Sequence, residues 1–517
     1  MEKRVGIVGA GISGLLACKY MLQKGFHPIV FEAKESIGGV WTHTIESTKL
    51  QTPREGYRFL DFPWPADVED EFPNSGQVME YIELYAQRFD LLRFIKFRSR
   101  VVSIEYDGVP QMEMDSWDLW GGTGDAFNTR GKWLVSVEDA HRIVEIYQVD
   151  FLILCIGRFS GIPNIPFFSP GHGPEVFNGQ VMHSMDYSSL DNHKAIEMVK
   201  GKRVTVVGFQ KSALDIAANC ATINGSAYPC TLTYRTAHWN VQHYSPWGIH
   251  LAYLYGNRFS ELMVHKPGEG MLLRLLATFL TPLRWAVSKF VESYLRWTLP
   301  LKKYGLVPKH SFSMQLTSCS LSTLPSNFYD KVEEGSIILK KSQSLSFGKN
   351  GVITDSKTTP LETDLVIFAT GFKGEQKLKD IFLSPVFKEA VVGSSNTTVP
   401  LYRNCIHPRI PFLAIIGYSE SISHLFTNEM RCRWLANFLG GEFQLPSIRN
   451  MEEDALGWEK FMKKYTGRFY RGSCIAGFHI WSNDQLCKEM GCSPTRKKGF
   501  LNELFSPYGP LDYADLK

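Results

Sequence analysis

Three glycines near the start of the chain have the spacing that brings a phosphate against a protein backbone. They are Gly9, Gly11 and Gly14, in the pattern Gly-x-Gly-x-x-Gly. A short apolar run at 4–8 precedes them and a helical pattern at 12–23 follows. The first glycine of such a turn allows a tight bend, the second lets the backbone approach a pyrophosphate, and the third permits close packing of helix on strand. The helix N-terminus, which contains Ser13, then offers free N–H groups to the phosphates. The pattern predicts a dinucleotide site.

An acid at the end of the next apolar run limits which dinucleotide fits. Glu32 lies 18 residues after Gly14, where its carboxylate can accept hydrogen bonds from a ribose. The same charge repels a 2′-phosphate, so the first site is expected to take FAD or NAD and not NADP. Gly38, Gly39 and Trp41 follow, in a string that resembles the extension of FAD sites in two-dinucleotide oxidoreductases. We therefore expect FAD at this site.

A second nucleotide pattern is imperfect. The string reads Val207-Gly208-Phe209-Gln210-Lys211-Ser212, so Gln210 replaces the middle glycine and the coenzyme is expected to sit further out or to bind more loosely. Arg235, followed by Thr236, stands where an acid normally ends the next strand. A cation there pairs with a 2′-phosphate, which favours NADPH over NADH. Arg235 can alternatively be an ordinary surface residue, and Lys211 is either a second phosphate partner or a solvated lysine.

The elements that must position these motifs alternate between strand-like and helical patterns. Two more buried runs end in Leu154-Cys155-Ile156-Gly157 and Phe368-Ala369-Thr370-Gly371, where a turn can reach a cofactor. Alternation of this kind favours an α/β fold with parallel sheets covered on both faces. We predict two doubly wound Rossmann-type nucleotide-binding domains, the first interrupted by the second. The expected bounds are 1–165 and 330–445 for the FAD domain, 166–329 for the NADPH domain with a helical insertion at 245–310, and 446–517 for a C-terminal extension.

Charge and cysteine usage exclude some classes of function. The chain has 56 Lys and Arg against 52 Asp and Glu, a net charge of +4 that is too small over 517 residues to imply nucleic-acid binding. Its ten cysteines contain no Cys-x-x-Cys and are expected to be reduced thiols in a reducing compartment. The N-terminus enters a predicted strand almost at once, which leaves no room for a signal peptide. A cytoplasmic protein is expected.

One segment, 271–299, is unusually apolar. Because charged residues and Pro282 interrupt it, we interpret it as two amphipathic helices and not as a membrane span. These helices can pack over the mouth of the active site, which is the interpretation we favour, or lie on a membrane surface.

The segment between the two nucleotide motifs identifies a family. Phe177, Gly179, His183 and Tyr187 match its Phe-x-Gly-x-x-x-His-x-x-x-Tyr motif. With this motif the chain resembles the flavin-containing monooxygenases over nearly its whole length, and strings such as Asp61-Phe62-Pro63-Trp64-Pro65 are most similar to the plant branch. His183 is expected to be structural in preference to a proton carrier.

What the resemblance implies is a reaction that needs FAD, NADPH and O₂. A C4a-hydroperoxyflavin would oxygenate a soft nucleophile, and the flavin supplies the difficult chemistry. Similarity to plant-defence members that act on pipecolic acid implies N-hydroxylation of a small amine or amino acid. Oxidative decarboxylation of a 2-oxo acid, S-oxygenation and Baeyer–Villiger oxidation stay open.

One departure concerns the reaction site. The family usually carries an Asn close to the flavin, whereas the segment here reads Leu50-Gln51-Thr52-Pro53-Arg54-Glu55. Gln51 and Thr52 are the candidates to provide its hydrogen bond. Two other classes remain as alternatives. A disulfide reductase would need a redox pair beside the flavin, and Cys487 and Cys492 lie at the far C-terminus. A nucleotide sensor that has kept its flavin is the non-enzymatic alternative.

Overall fold

The structure is a computed structural model, and it describes residues 3–127, 130–355, 359–391, 399–422, 424–472 and 474–516. Within those ranges the chain forms twenty strands and seventeen α-helices. The strands are β1 (Arg4–Val8), β2 (His27–Phe31), β3 (Ile95–Lys96), β4 (Arg100–Asp107), β5 (Lys132–Glu138), β6 (Val144–Val149), β7 (Phe151–Leu154), β8 (Gln180–His183), β9 (Val204–Val207), β10 (Cys230–Tyr234), β11 (Asn240–Val241), β12 (Ser322–Thr323), β13 (Ile337–Lys341), β14 (Leu345–Gly348), β15 (Gly351–Thr354), β16 (Leu361–Glu362), β17 (Leu365–Phe368), β18 (Leu413–Ile415), β19 (Glu420–Ser421) and β20 (Cys474–Ala476). The helices are α1 (Ile12–Gln23), α2 (Ser75–Arg88), α3 (Gln111–Asp115), α4 (Ser184–Ser188), α5 (Asn192–Val199), α6 (Lys211–Asn224), α7 (Leu251–Tyr255), α8 (Arg258–Leu262), α9 (Met271–Thr298), α10 (Phe312–Thr317), α11 (Phe328–Glu333), α12 (Gly374–Ile381), α13 (Pro385–Ala390), α14 (His424–Leu439), α15 (Ile448–Thr466), α16 (His479–Glu489) and α17 (Phe500–Phe505).

The first sheet carries the first glycine motif. Its strands run parallel in the order β18-β7-β1-β2-β3. β7 is buried along its whole length, as expected for a strand with both faces covered. The helix predicted at 12–23 is α1, and it packs against α14. The chain leaves β1 toward β2 on one side and later returns on the other side as β7. The ligand crevice therefore lies at the carboxyl ends of β1 and β7.

The second sheet repeats this design and extends further along the chain than predicted. Its strands run parallel in the order β13-β10-β9-β17-β8. Two of them, β13 and β17, lie beyond residue 329, so the expected end of the second domain is too early. A buried apolar run does not reveal which sheet it joins, and β17 pairs with β9 and β8. The predicted α/β fold with two parallel nucleotide-binding sheets is confirmed.

Two connections join the sheets and run side by side. The Asn164 amide donates to the Gly371 carbonyl at 2.9 Å. The Thr370 hydroxyl donates to the Asn164 carbonyl at 2.5 Å. One step further along, the Lys373 amide donates to the Ile162 carbonyl at 2.9 Å. These bonds fix the turn at Thr370 and Gly371, and with it the relative position of the two domains.

The apolar segment 271–299 forms one helix and not two. α9 continues through Pro282 over 28 residues. A proline inside a helix removes a backbone hydrogen bond, but the bonds on either side persist here. The prediction of two helices was therefore wrong. Among the described residues, α9 is long and apolar enough to cross a membrane, by length and composition alone.

The C-terminal extension is mostly helical, as predicted, and a disulfide attaches it to the second domain. Cys319 and Cys474 are bonded across 155 residues of sequence. The expectation that all the cysteines are reduced thiols was wrong for this pair, because no spacing rule connects two cysteines so far apart in sequence. Cys487 is a buried thiol outside any disulfide, so it is not bonded to Cys492.

Candidate active site

The first glycine turn leaves no space for side chains except where a ligand is expected. Gly9 has a φ of +101°, and a Cβ on it would lie 2.7 Å from the Cys155 carbonyl oxygen. A Cβ on Gly14 would overlap the Gly9 carbonyl oxygen. At Gly11, in contrast, a Cβ would meet only the Gly39 backbone, at 3.5 Å. The protein itself tolerates a methyl group at Gly11, so the requirement for glycine there comes from the ligand.

The Gly38-Gly39 turn completes a cradle for a pyrophosphate. Both glycines have positive φ angles, +115° and +62°. Their turn brings the backbone of Gly39 against that of Gly11, next to the N-terminus of α1. No side chain caps that helix end, so its first N–H groups are available to an anion. This bare backbone surface fits the pyrophosphate of FAD.

Glu32 is held rigidly beside this cradle. One carboxylate oxygen accepts from the Ala10 amide at 2.7 Å and the other from the Lys34 amide at 3.0 Å. Each oxygen has a second lone pair with which it can accept a ribose hydroxyl. The arrangement supports the prediction that Glu32 binds the ribose of FAD.

Lys377 is a cation of the first site that sequence reasoning missed. Its ammonium donates to the Ser160 hydroxyl at 2.7 Å and to the Ile156 carbonyl, on the turn that follows β7. Burial and the nearby charge of Lys34 lower the pKa of Lys377 to about 8. It lies on α12, more than 200 residues from either partner, and no motif marks it.

The loop after β18 reaches the first turn of α1. A side chain on Gly417, whose φ is +84°, would overlap the Ser13 hydroxyl. Trp41 lies two residues after Gly39 of the cradle. Its indole N–H donates to the Tyr57 hydroxyl at 2.9 Å. Ser13 therefore lies against the loop after β18, and a contact of Ser13 or Trp41 with the flavin stays a prediction.

The second glycine turn repeats the geometry of the first. Gly208 has a φ of +144°, and a Cβ on it would lie 2.5 Å from the Ala369 carbonyl oxygen. Gln210 takes the place of Gly11 and has extended backbone, with no side-chain hydrogen bond to the helix that it precedes. The N-terminus of α6 is thus open, with Ser212 exposed in its first turn. This end of α6 fits the pyrophosphate of NADPH.

Lys211 is not a solvated lysine. Its ammonium lies 2.7 Å from a carboxylate oxygen of Asp215, and the Thr48 hydroxyl donates to the other oxygen at 2.7 Å. Burial raises the pKa of Asp215 although both partners oppose this. Because Thr48 belongs to the first domain, the pair also joins the two nucleotide sites. A contact between Lys211 and a phosphate stays a prediction.

Arg235 and Thr236 are exposed directly after β10. The Arg235 carbonyl accepts from the Gln343 side chain at 2.9 Å, which holds the backbone. Within the described part of the chain, no side chain pairs with the Arg235 guanidinium. A charged group placed in this way at the end of the strand can bind a 2′-phosphate.

Gln51 and Thr52 lie where the two domains meet. The Thr52 hydroxyl donates to the Ile422 carbonyl at 2.7 Å. The Gln51 side-chain oxygen accepts from the Thr323 amide at 3.3 Å, and its backbone carbonyl accepts from the Tyr244 hydroxyl. The Thr52 hydroxyl is therefore committed to the protein, whereas the Gln51 amide nitrogen retains its donors. Of the two candidates, Gln51 is the better replacement for the family's Asn.

His183 has a structural role, as predicted. Its ring nitrogen Nδ1 accepts from the Met185 amide at 3.1 Å and so caps α4. Burial lowers the pKa of His183, and its ring packs edge-on against Phe372. A neutral ring in this position ties the turn after β17 to the neighbouring strand.

Substitution of Gly11 should remove flavin without unfolding the protein. In Gly11→Ala the methyl group contacts Gly39 at an ordinary distance but occupies the pyrophosphate cradle. We expect a folded, colourless protein, measured as flavin absorbance per chain together with thermal unfolding. Gly270→Ala, where a Cβ meets nothing within 4 Å, is the matched control and should stay yellow. Full flavin content in Gly11→Ala would contradict the assignment.

Removal of the Arg235 side chain should weaken the binding of NADPH and leave the binding of NADH unchanged. Losing a charge-assisted hydrogen bond costs about 1.5–3 kcal/mol, roughly ten- to a hundredfold in affinity. The measurement is the apparent affinity of Arg235→Ala for each coenzyme, with NADH as the internal control. Equal losses for the two coenzymes would place the 2′-phosphate elsewhere.

Comparisons with known proteins agree with this geometry. A model of the flavin-binding monooxygenase-like family matches residues 2–503. The chain is 41% identical over 522 residues to the probable flavin-containing monooxygenase 1 of Arabidopsis thaliana. The aligned region covers 99% of this chain and 96% of the relative. Its fold is similar to that of oxidised steroid monooxygenase bound to NADP, with a TM-score of 0.67 at 16% identity, covering 95% of this chain and 98% of the other. It is also similar to S-allyl-L-cysteine S-oxygenase from Allium sativum, with a TM-score of 0.59 at 18% identity, covering 95% and 89%. The chain therefore belongs to the flavin-binding monooxygenase-like family, together with plant relatives, and it is an FAD- and NADPH-dependent monooxygenase.

Proposed function

We propose that the enzyme N-hydroxylates a small amine or amino acid, with pipecolic acid as the first substrate to test. When bound, FAD supplies the oxygenating chemistry, with electrons from NADPH and oxygen from O₂. The protein then has to bind the substrate, orient its nucleophilic atom and exclude water. A garlic enzyme of similar fold is named for S-oxygenation of an amino-acid derivative, which supports an amino-acid substrate class for this architecture.

The observation that carries the proposal is a partly exposed guanidinium, that of Arg471, next to the strand pair that leads to the partner of Thr52. β19 leads into Ile422, the partner of Thr52, and it pairs with β20 of the C-terminal extension. Arg471 lies just before β20, donates to the Cys319 carbonyl at 3.2 Å and lies 3.5 Å from a carboxylate oxygen of Glu420. Its side chain is 29% exposed, so the guanidinium keeps donors for a further ligand. Arg471 can bind the carboxylate of an amino acid in a bidentate manner.

The nitrogen of the substrate must carry a free lone pair in order to react. An aliphatic amine with a pKa near that of lysine, about 10, is almost fully protonated at pH 7. The pocket must therefore accept the minor neutral form, and turnover should rise as the pH is raised above 7. The Gln51 amide nitrogen retains its donors and can orient the substrate by hydrogen bonding.

Other reactions of the same cofactor pair remain as alternatives. They are oxidative decarboxylation of a 2-oxo acid, S-oxygenation and Baeyer–Villiger oxidation. The non-enzymatic alternative is a sensor that retains its flavin.

We further propose that the enzyme works in the cytoplasm, with plant defence as its context. We also propose that residues 271–299 contact a membrane.

The decisive experiment compares pipecolic acid with piperidine, the same ring amine without the carboxylate. The enzyme is incubated with NADPH and O₂, and products heavier by one oxygen are identified. We expect an N-hydroxy product from pipecolic acid. In Arg471→Ala the KM for pipecolic acid should rise roughly ten- to a hundredfold, because a charge-assisted contact worth about 1.5–3 kcal/mol is lost. The KM for piperidine should not change.

Arg468→Ala is the matched control, because this exposed arginine lies only three residues away. Its kinetics should resemble those of the unmodified enzyme. Oxygenation confined to thioethers or ketones, or decarboxylation of a 2-oxo acid, would contradict N-hydroxylation and leave the cofactor assignment intact. NADPH oxidation that no substrate couples to product would favour the sensor.

A further inference from the structure

The first half of α9 exposes an apolar surface that a water-soluble protein does not need. Within residues 271–287 only Ala277 is fully buried. Large apolar side chains stand in water at eight positions of this half: Met271, Leu272, Leu273, Leu275, Leu276, Phe279, Leu283 and Trp285. Contiguous apolar patches of this kind mark an interaction surface.

The distribution of these residues around the helix indicates what covers it. A helix that docks into a protein groove has one apolar stripe, with residues three and four apart. Here Leu272, Leu273, Leu275 and Leu276 are all exposed, so the apolar surface extends over several faces of the helix. A helix that is apolar on several faces is better covered by the acyl chains of a lipid bilayer than by a protein groove.

Charge on α9 favours an anionic surface. No acidic residue occurs between 271 and 291, whereas Arg274 is exposed on the first half of the helix. Of the two other cations in this range, Arg284 lies over the Tyr465 ring and Lys289 pairs with Glu292. The nearest acids, Glu269 and Glu292, have side chains only 5% and 3% exposed, so neither presents a charge to the surroundings. Arg274 can extend along the helix to a headgroup while its methylenes stay in apolar surroundings.

The second half of α9 is fixed to the protein and prevents the helix from crossing a bilayer. Val291 and Leu295 belong to the core of the second domain. The Ser288 hydroxyl and the Glu292 carboxylate accept from the amides of Ser313 and Phe312, at 3.2 and 3.1 Å. Only the stretch from Met271 to Ala286 exposes the apolar surface, and it is about 24 Å long at 1.5 Å per residue. That is shorter than the ~30 Å hydrocarbon core.

We propose that the first half of α9 embeds in one leaflet of an anionic phospholipid bilayer and holds the enzyme at the membrane surface. Exposed tryptophans stand where the helix meets the folded domain: Trp285 on its outer half, and Trp297 stacked on Trp247 at its end. Tryptophan is enriched at the level of lipid headgroups. The embedded helix lies in the interface without spanning it.

The test is sedimentation of the flavin-loaded enzyme with phospholipid vesicles. The variant Leu272→Gln, Leu275→Gln, Phe279→Gln removes exposed apolar surface and keeps good helix formers. We expect the unmodified enzyme to sediment with phosphatidylserine-containing vesicles at least tenfold more strongly than the variant, with equal flavin content and equal NADPH affinity. Purely neutral phosphatidylcholine vesicles should bind the unmodified enzyme several-fold more weakly.

A matched control separates this surface from exposed apolar residues in general. Val144→Ser, Ile146→Ser removes two exposed apolar residues from β6, far from α9 in sequence and flanking the acidic Glu145. It should bind vesicles as the unmodified enzyme does. Equal vesicle binding by the α9 variant and the unmodified enzyme would overturn the proposal. A change from oligomer to monomer in the α9 variant, without vesicle binding by the unmodified enzyme, would assign the surface to a second copy of the chain.

Discussion

Two backbone contacts determine where both nucleotide sites lie. In each sheet, the glycine that follows the strand of the nucleotide motif, β1 or β9, lies against the carbonyl that follows the adjacent strand, β7 or β17. Gly9 meets Cys155, and Gly208 meets Ala369. Because no side chain fits at either glycine, the helix that follows starts directly at the crevice, with its unpaired N–H groups toward the phosphates. The cradle, the ribose carboxylate and the open end of α6 all follow from this close approach.

The relation between the two sites depends on a small number of polar contacts. The two connections between the domains are hydrogen-bonded to each other at Asn164. The Thr48 hydroxyl of the first domain also donates to Asp215, the partner of Lys211 in the second domain. Burying the Asp215 carboxylate with only one partner would cost free energy of folding. Because one donor comes from each domain, the carboxylate favours a single arrangement of the two domains. Residues that fix the two domains relative to each other would also fix the two cofactors that these domains hold when bound. Thr48 and Asp215 thus connect the two domains although neither was identified from a nucleotide motif.

Local patterns predicted the parts of the molecule that are local in sequence. The glycine turns, α1, Glu32 and the exposed Arg235 follow from a strand, a turn and a helix in succession, and the structure places each of them as the pattern indicates. Lys377 could not be found in this way, because it joins the first site through contacts with residues far away in sequence. The same reason explains the Cys319–Cys474 pair and the second sheet's extension to Phe368. The continuity of α9 through Pro282 escaped prediction because a proline weakens a helix locally without dictating whether it ends.

The interruption of the first domain by the second has a consequence for synthesis on the ribosome. The strands of the second sheet are complete once the chain has been made to Phe368, whereas the first sheet still lacks β18 and α1 still lacks its partner α14. Domains usually fold in the order in which they are made. Here the N-terminal glycine turn must wait, with part of the surface of α1 uncovered, until residues some 400 positions later emerge. The inserted domain can be folded by then, and it holds the two halves of the flavin domain close enough to meet.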